Sequence, residues 1–114
     1  MNFAFDRYGD KSPDVDFIQY LIALIKTYDN VDAGRIFILG YSNGSGLTNR
    51  LIIELDGAAF KGASCTASLM LTKMHNNGAF WHNASGNNKY DQRIVPATGR
   101  PILDIGGTAD PVIP

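Results

Sequence analysis

Apolar positions recur along this chain with two different periods. From Pro13 to about Tyr28, Val15, Ile18, Leu21, Ile22 and Ile25 return at three- and four-residue spacing, with Phe17 and Leu24 widening the stripe. That period predicts an amphipathic helix packed against a sheet. Ser12 before Pro13 marks its start, because proline's missing N–H is not needed in a first turn. Asp14 and Asp16 put negative charge at the positive end of the helix dipole. Asp29-Asn30 ends the helix and residues 31–35 form a connector. Four consecutive apolar residues follow, Ile36, Phe37, Ile38 and Leu39, and predict a strand. Leu47, Leu51, Ile52 and Leu55 then mark a second amphipathic helix, stopped at Asp56-Gly57. Residues 60–67 predict the next buried strand, which Leu69-Met70-Leu71 would extend or replace with the start of a helix. Residues 101–105 predict a last short strand and 106–110 the loop at its carboxyl end.

Residues 72–100 break the pattern. Asn76, Asn77, Gly78, Asn83, Gly86, Asn87 and Asn88 crowd a stretch that also holds Phe80, Trp81 and Tyr90, which predicts a long irregular excursion. Loops of that length often bind ligands or act as lids. The aromatics could face a ring-bearing or polymeric substrate, or simply pack the loop onto the body. Asn83-Ala84-Ser85 is a glycosylation sequon that matters only in a secreted protein. Asn43-Gly44-Ser45 fits the same pattern, but a glycan there would block the turn described next.

Residues 35–50 read RIFILGYSNGSGLTNR: a strand, a sharp turn carrying a serine, then a helix. Gly40-Tyr41-Ser42-Asn43-Gly44 has the G-x-S-x-G form of a nucleophile elbow. The turn must be tight and strained so that the serine hydroxyl projects clear of the sheet. Gly40 and Gly44, lacking a Cβ, would let strand and helix approach closely on either side of it. The following helix aims its free N–H groups at the same point, and the backbone N–H of Asn43 becomes a candidate oxyanion donor. Competing glycine-rich readings fail. A dinucleotide fingerprint starting at Gly44 would need glycine at Asn49, and a phosphate-binding loop would need a Gly-Lys-Ser/Thr ending.

Hydrolysis by serine also needs a base and an acid that orients it. In proteins with this elbow the order along the chain is serine, acid, histidine. Asp110, after a later strand, is the candidate acid; as an aspartate before proline it is on spacing alone equally a turn residue. His75 and His82 precede it, against the order. With Asp91 they could form a metal site, but their seven-residue gap in an Asn-rich loop has no metal-ligand logic. No cofactor or metal is implied.

Composition narrows the setting. The 114 residues are 45% hydrophobic and 18% charged, with a net charge of −1, so there is no electrostatic case for nucleic acid or an anionic membrane. No apolar run approaches membrane-spanning length, and the first residues lack the basic start and apolar core of a signal peptide. Cys65 is the single cysteine, so no disulfide forms within the chain. A parallel α/β sheet covered on both faces usually needs more chain, and here there is room for about three strands. Asp110-Pro111-Val112-Ile113-Pro114 has loop composition. The expectation is that residues 1–114 are a central piece of one larger domain.

VDAGRIFILGYSNGSGLTNRL, led by SPDVDFIQYLIALI and closed by PILDIGGTADPVIP, resembles the esterase/polyhydroxybutyrate depolymerase family of α/β-hydrolases, which includes feruloyl and acetylxylan esterases. The resemblance is strong over 13–67 and 100–114 and poor over the Asn-rich stretch. It implies a partial α/β-hydrolase fold, a three-layer α/β/α arrangement around a parallel sheet, without the early strands and the C-terminal strand and helix. It implies Ser42 as nucleophile and Asp110 as triad acid, with the histidine beyond Pro114. It also implies a secreted enzyme acting on an ester of plant cell-wall polysaccharide such as xylan, or on a hydroxyacid polyester. Members commonly carry His-Gly where this chain has Gly106-Gly107. A serine peptidase of the prolyl-oligopeptidase type shares the elbow and acid loop, and a non-catalytic remnant is the third reading. Without the base, the chain alone is expected to have very low activity or none.

Overall fold

Two small sheets share one helix. The computed structural model describes residues 13–67, 70–82, 89–96 and 99–111. Along the chain these give helix α1 (Pro13–Ile25), strand β1 (Phe37–Tyr41), helix α2 (Asn43–Glu54) and strand β2 (Gly62–Thr66). Strands β3 (His75–Asn76), β4 (Ala79–His82), β5 (Gln92–Ile94) and β6 (Ile102–Ile105) follow. The first sheet has the order β1-β2-β6, parallel throughout. The second is an antiparallel meander of β3, β4 and β5. The protein is therefore a mixed α/β chain built on a three-stranded parallel sheet.

The elbow strand and helix fall where the pattern put them. β1 ends at Tyr41, α2 begins at Asn43, and the chain leaves the helix at Leu55, whose backbone is extended. The amphipathic description of α2 is too narrow, however. Ser45, Thr48, Asn49 and Arg50 are buried along with Leu51, Ile52 and Ile53, because α2 touches α1 and both sheets. Its one buried cation, Arg50, is held at 2.8 Å by Glu54 one turn on. A buried charge is tolerated only when paired in this way.

α1 starts at Pro13 as predicted, while Ser12 lies outside the described residues. Turn-type hydrogen bonds carry the chain on from Ile25 to Tyr28. Its stripe is narrower than the sequence suggests: Val15 and Ile22 are buried, whereas Phe17 and Leu24 are exposed. The helix leans on α2 more than on the sheet, and a contact between two helices buries a narrower strip than a helix lying flat on strands. Val15 and Ile22 join Leu51, Ile52, Leu55, Phe60, Ala63 and Cys65 in the main core.

Residues 72–100 are not the irregular excursion the sequence predicts. The described part forms the meander and a second core, where Ile53, Met74 and Tyr90 are buried and Phe80 and Trp81 pack beside them. The β3–β4 turn uses Asn77 and Gly78, both at positive φ, as two-residue hairpins favour. Asparagine and glycine here are turn chemistry between strands too short to show a period. The sequon at Asn83 and residue Leu69 lie outside the described residues. Met70 and Leu71 belong to neither strand nor helix.

The far side of the parallel sheet is bare among the described residues. Register places Leu39, Ser64 and Leu103 in one row and Tyr41, Thr66 and Ile105 in the next, and α2 lies against the opposite face. Phe37, Leu39 and Tyr41 are 56%, 80% and 73% exposed. Among the described residues two of the three expected layers are present, and β1 and β6 each pair on one side only.

One side chain ties the last strand to the elbow helix. Arg100, just before β6, donates to the carbonyls of Leu51, Ile52, Leu55 and Asp56. Its guanidinium also lies 4.0 Å from the centre of the Phe60 ring. Carbonyls in and just after the last turn of the helix are thus bonded, and the negative end of its dipole faced, by a cation arriving from 45 residues downstream.

Candidate active site

Serine at a helix N-cap normally turns its hydroxyl back onto the helix. Ser42 does not. Its backbone stands at φ 52°, ψ −118°, and its side chain makes no capping hydrogen bond. Positive φ is costly for a residue with a Cβ, and such strain collects at functional sites. Here it leaves the Oγ, on a half-buried residue, free of the helix it precedes.

The surroundings hold that conformation. The Ser42 N–H donates to the Thr66 carbonyl at the end of β2, at 2.8 Å, and the Ser42 carbonyl accepts from Ser45 N–H at 2.9 Å. Gly40 is required by space: a Cβ there would fall 2.4 Å from Thr48 Oγ1 and 2.6 Å from the Gly44 carbonyl oxygen. Gly44 is different. A Cβ there meets nothing within 4 Å, so the close-approach role expected of it from the motif is not needed among the described residues. Gly44 contributes its carbonyl, packed under Gly40, rather than its missing side chain.

Asn43 opens α2. The N–H groups of Ser45 and Gly46 turn inward to the Ser42 carbonyl. Leading amides of a helix have no partner within it, and the Asn43 N–H is one of these.

Asp110 lies in the loop after β6, half-buried, with its N–H donating to the Gly107 carbonyl at 3.2 Å. Ser42 and Asp110 therefore sit at the carboxyl ends of strands two apart in the sheet. The two strands that lead to them, β1 and β6, are separated by one strand, about 10 Å between their axes. Carboxyl ends of parallel strands are also where ligands bind in open α/β sheets. Ala67, at the same edge of β2, has φ 56° and donates its N–H to Ile105, a second strained residue beside the serine.

The two histidines are not brought to this edge. His75 and His82 lie on β3 and β4, and His75 packs its ring on Phe80 at 4.7 Å between centroids. That sheet packs on Ile53, ten residues along α2 from Asn43. At 1.5 Å per residue this is about 15 Å from the serine end. Phe80, Trp81 and Tyr90 likewise serve the core under the meander. Among the described residues no group of three or more His, Cys, Asp or Glu could hold a metal.

Cys65 is fully buried beside Asn49, with Sγ 3.7 Å from Oδ1. Burial, and after it the Asp104 carboxylate, pushes its thiol up to about 11, so at neutral pH it is an inert core residue. Burial lowers Arg100 from its ordinary range, partly opposed by Asp56.

Sequence reading missed Ser45. Its side chain is fully buried, and its hydroxyl accepts from Thr66 N–H and reaches the Gly40 and Thr66 carbonyls, each at 2.8 Å. The available signal was a small hydroxyl residue in the first turn, one place past the motif.

No protein-family model matches the chain, and no curated protein or solved structure matches it.

Proposed function

We propose that Ser42 is the nucleophile of a serine carboxylic-ester hydrolase and that the chain is part of an α/β-hydrolase domain. The observation that carries the reading is the Ser42 backbone, at positive φ and without a cap bond, where a parallel strand turns into a helix. A solvated turn has no reason to hold a serine in that state. Ser42 Oγ attacks the ester carbonyl, the Asn43 N–H stabilises the oxyanion, and an acyl-enzyme forms as the alcohol leaves. Water then releases the acid. Asp110 orients the histidine that takes and returns the Ser42 proton. Neither His75 nor His82 is placed for this, so the base comes from outside the described site. The resemblance noted above supports a cell-wall polysaccharide ester or a hydroxyacid polyester as substrate, and an extracellular setting.

The test is labelling of the full chain by a fluorophosphonate, with and without added imidazole as a diffusible base. Modification at Ser42, accelerated in proportion to imidazole and lost in Ser42→Ala, supports the nucleophile. Equal labelling of Ser45 or Ser64, or none at any imidazole concentration, overturns it and leaves the elbow as a structural turn. Activity on p-nitrophenyl acetate but not on a peptide p-nitroanilide then separates esterase from peptidase.

A further inference from the structure

We propose that Ser45 is a positioning residue for Ser42: its buried hydroxyl fastens the first turn of α2 to the ends of β1 and β2 and holds the serine at positive φ. The consequence for catalysis rests on Ser42 being the nucleophile; the fastening itself does not.

The hydrogen bonds close a small ring around the elbow. Thr66 offers its carbonyl to Ser42 N–H and its N–H to Ser45 Oγ, both at 2.8 Å. Ser45 returns its own N–H to the Ser42 carbonyl at 2.9 Å. Ser42 is thus gripped on both of its peptide groups by two residues that are bonded to each other. Relaxing φ to negative values would swing one of those peptides and break a bond of the ring.

The hydroxyl has one proton and two carbonyls in reach, those of Gly40 and Thr66. Thr66 already receives Ser42 N–H, so Gly40 is the carbonyl with more need of the donor. The side chain then joins β1 to β2 through a helix residue. Thr48 completes the arrangement from the next turn, where its Oγ1 donates to the Gly44 carbonyl at 2.9 Å and keeps that group against Gly40.

Alanine at 45 would remove the acceptor of Thr66 N–H at a site without solvent. A buried donor left unpaired loses more than the bond itself. The volume of the side chain would be nearly kept and its hold on Ser42 lost, which distinguishes a positioning residue from a space-filling one.

The experiment compares Ser45→Ala, Ser45→Thr, which keeps the hydroxyl, and Ile53→Val, which weakens the far end of α2. Amide hydrogen exchange and the Ser42 Cα and Cβ chemical shifts are read in the full chain. In Ser45→Ala, exchange at Ser42 and Thr66 should accelerate about tenfold beyond the change at α2's last turn, the worth of one lost hydrogen bond. The Ser42 shifts should move toward ordinary backbone values. Ser45→Thr should recover the protection, and Ile53→Val should lose stability without either effect. At fixed imidazole, labelling should fall in its rate at saturating fluorophosphonate and not in the fluorophosphonate concentration that gives half of that rate. If Ser45→Ala leaves the Ser42 shifts and local exchange as in the parent, the proposal is wrong. If the parent is never labelled while the shifts and exchange respond, the nucleophile fails and the fastening stands.

Discussion

Two glycines flank Ser42 symmetrically in the sequence, and the structure gives them opposite roles. Gly40→Ala would set a Cβ 2.4 Å from Thr48 Oγ1 and 2.6 and 2.7 Å from the oxygen and carbon of the Gly44 carbonyl. Ordinary contact begins near 3.4 Å, so about 1 Å must be found. Thr48 can rotate away only by giving up its bond to the Gly44 carbonyl, at about 1 kcal/mol. The Gly44 carbonyl cannot move without moving the helix, and overpacking of that kind costs about 1–3 kcal/mol. The expected loss is roughly 2–4 kcal/mol, a large fraction of a total near 0.1 kcal/mol per residue. Gly44→Ala meets no atom within 4 Å and places a better helix former in the first turn of α2. It should be neutral or stabilising by up to about 1 kcal/mol. Urea unfolding of both variants, followed by circular dichroism, measures the contrast. A Gly40→Ala variant within 0.5 kcal/mol of the parent, the scatter of an inert surface change, would refute the reasoning. So would a Gly44→Ala variant that unfolds first.

Ser42→Gly should raise the thermal midpoint, since glycine accepts φ 52° and the strain relieved is about 1 kcal/mol or more; calorimetry against Ser42→Ala checks it. Arg100→Ala should cost about 2–4 kcal/mol through the carbonyls it leaves at the end of α2, and Arg100→Lys should recover only part, because one ammonium cannot span them; denaturant midpoints decide. Glu54→Ala removes the 2.8 Å bond to the buried Arg50 and should destabilise by about 1.5–3 kcal/mol, whereas Arg50→Met with Glu54→Leu should be near neutral. Cys65, with its thiol at about 11 against an ordinary 9.0, should not react with a disulfide reagent at pH 8 until the protein unfolds. Its folded pKa is the higher one, so the unfolded chain loses the proton first. Stability should be full below pH 9 and decline between 9 and 11, visible in unfolding midpoints against Cys65→Ala.

The elbow was legible because its signals are local. Four apolar residues, a G-x-S-x-G turn and a Leu47-Leu51-Ile52-Leu55 stripe lie within twenty positions, and each reports its own backbone. α1 and the strands at 62–66 and 102–105 were legible for the same reason. The meander was not, because strands of two to four residues carry too few alternations to separate from turns. Ser45 and Arg100 were hidden differently. Their roles depend on partners 21 and 45 residues away, and nothing local tells a buried hydroxyl from an exposed one. Gly44 differs in the other direction: among the described residues the steric reason the motif offers for both glycines is met at Gly40 only. Where the two histidines would lie was likewise hidden: the fold places both on the meander, and neither shows that in its neighbours along the chain.

The reach of Arg100 also has a consequence in time. During synthesis α2 emerges well before the residue that closes its last turn, and β2 waits for β6 over the same interval. At about 5–20 residues per second the delay is a few seconds. Through that interval the end of α2 must stay solvated and the edge of β2 that later takes β6 must stay unpaired. The contacts that complete the sheet are long in sequence and so slow to find. The nascent chain therefore passes through a stage with a formed elbow and an open flank, during which another strand, of its own or of a neighbour, can take the place of β6.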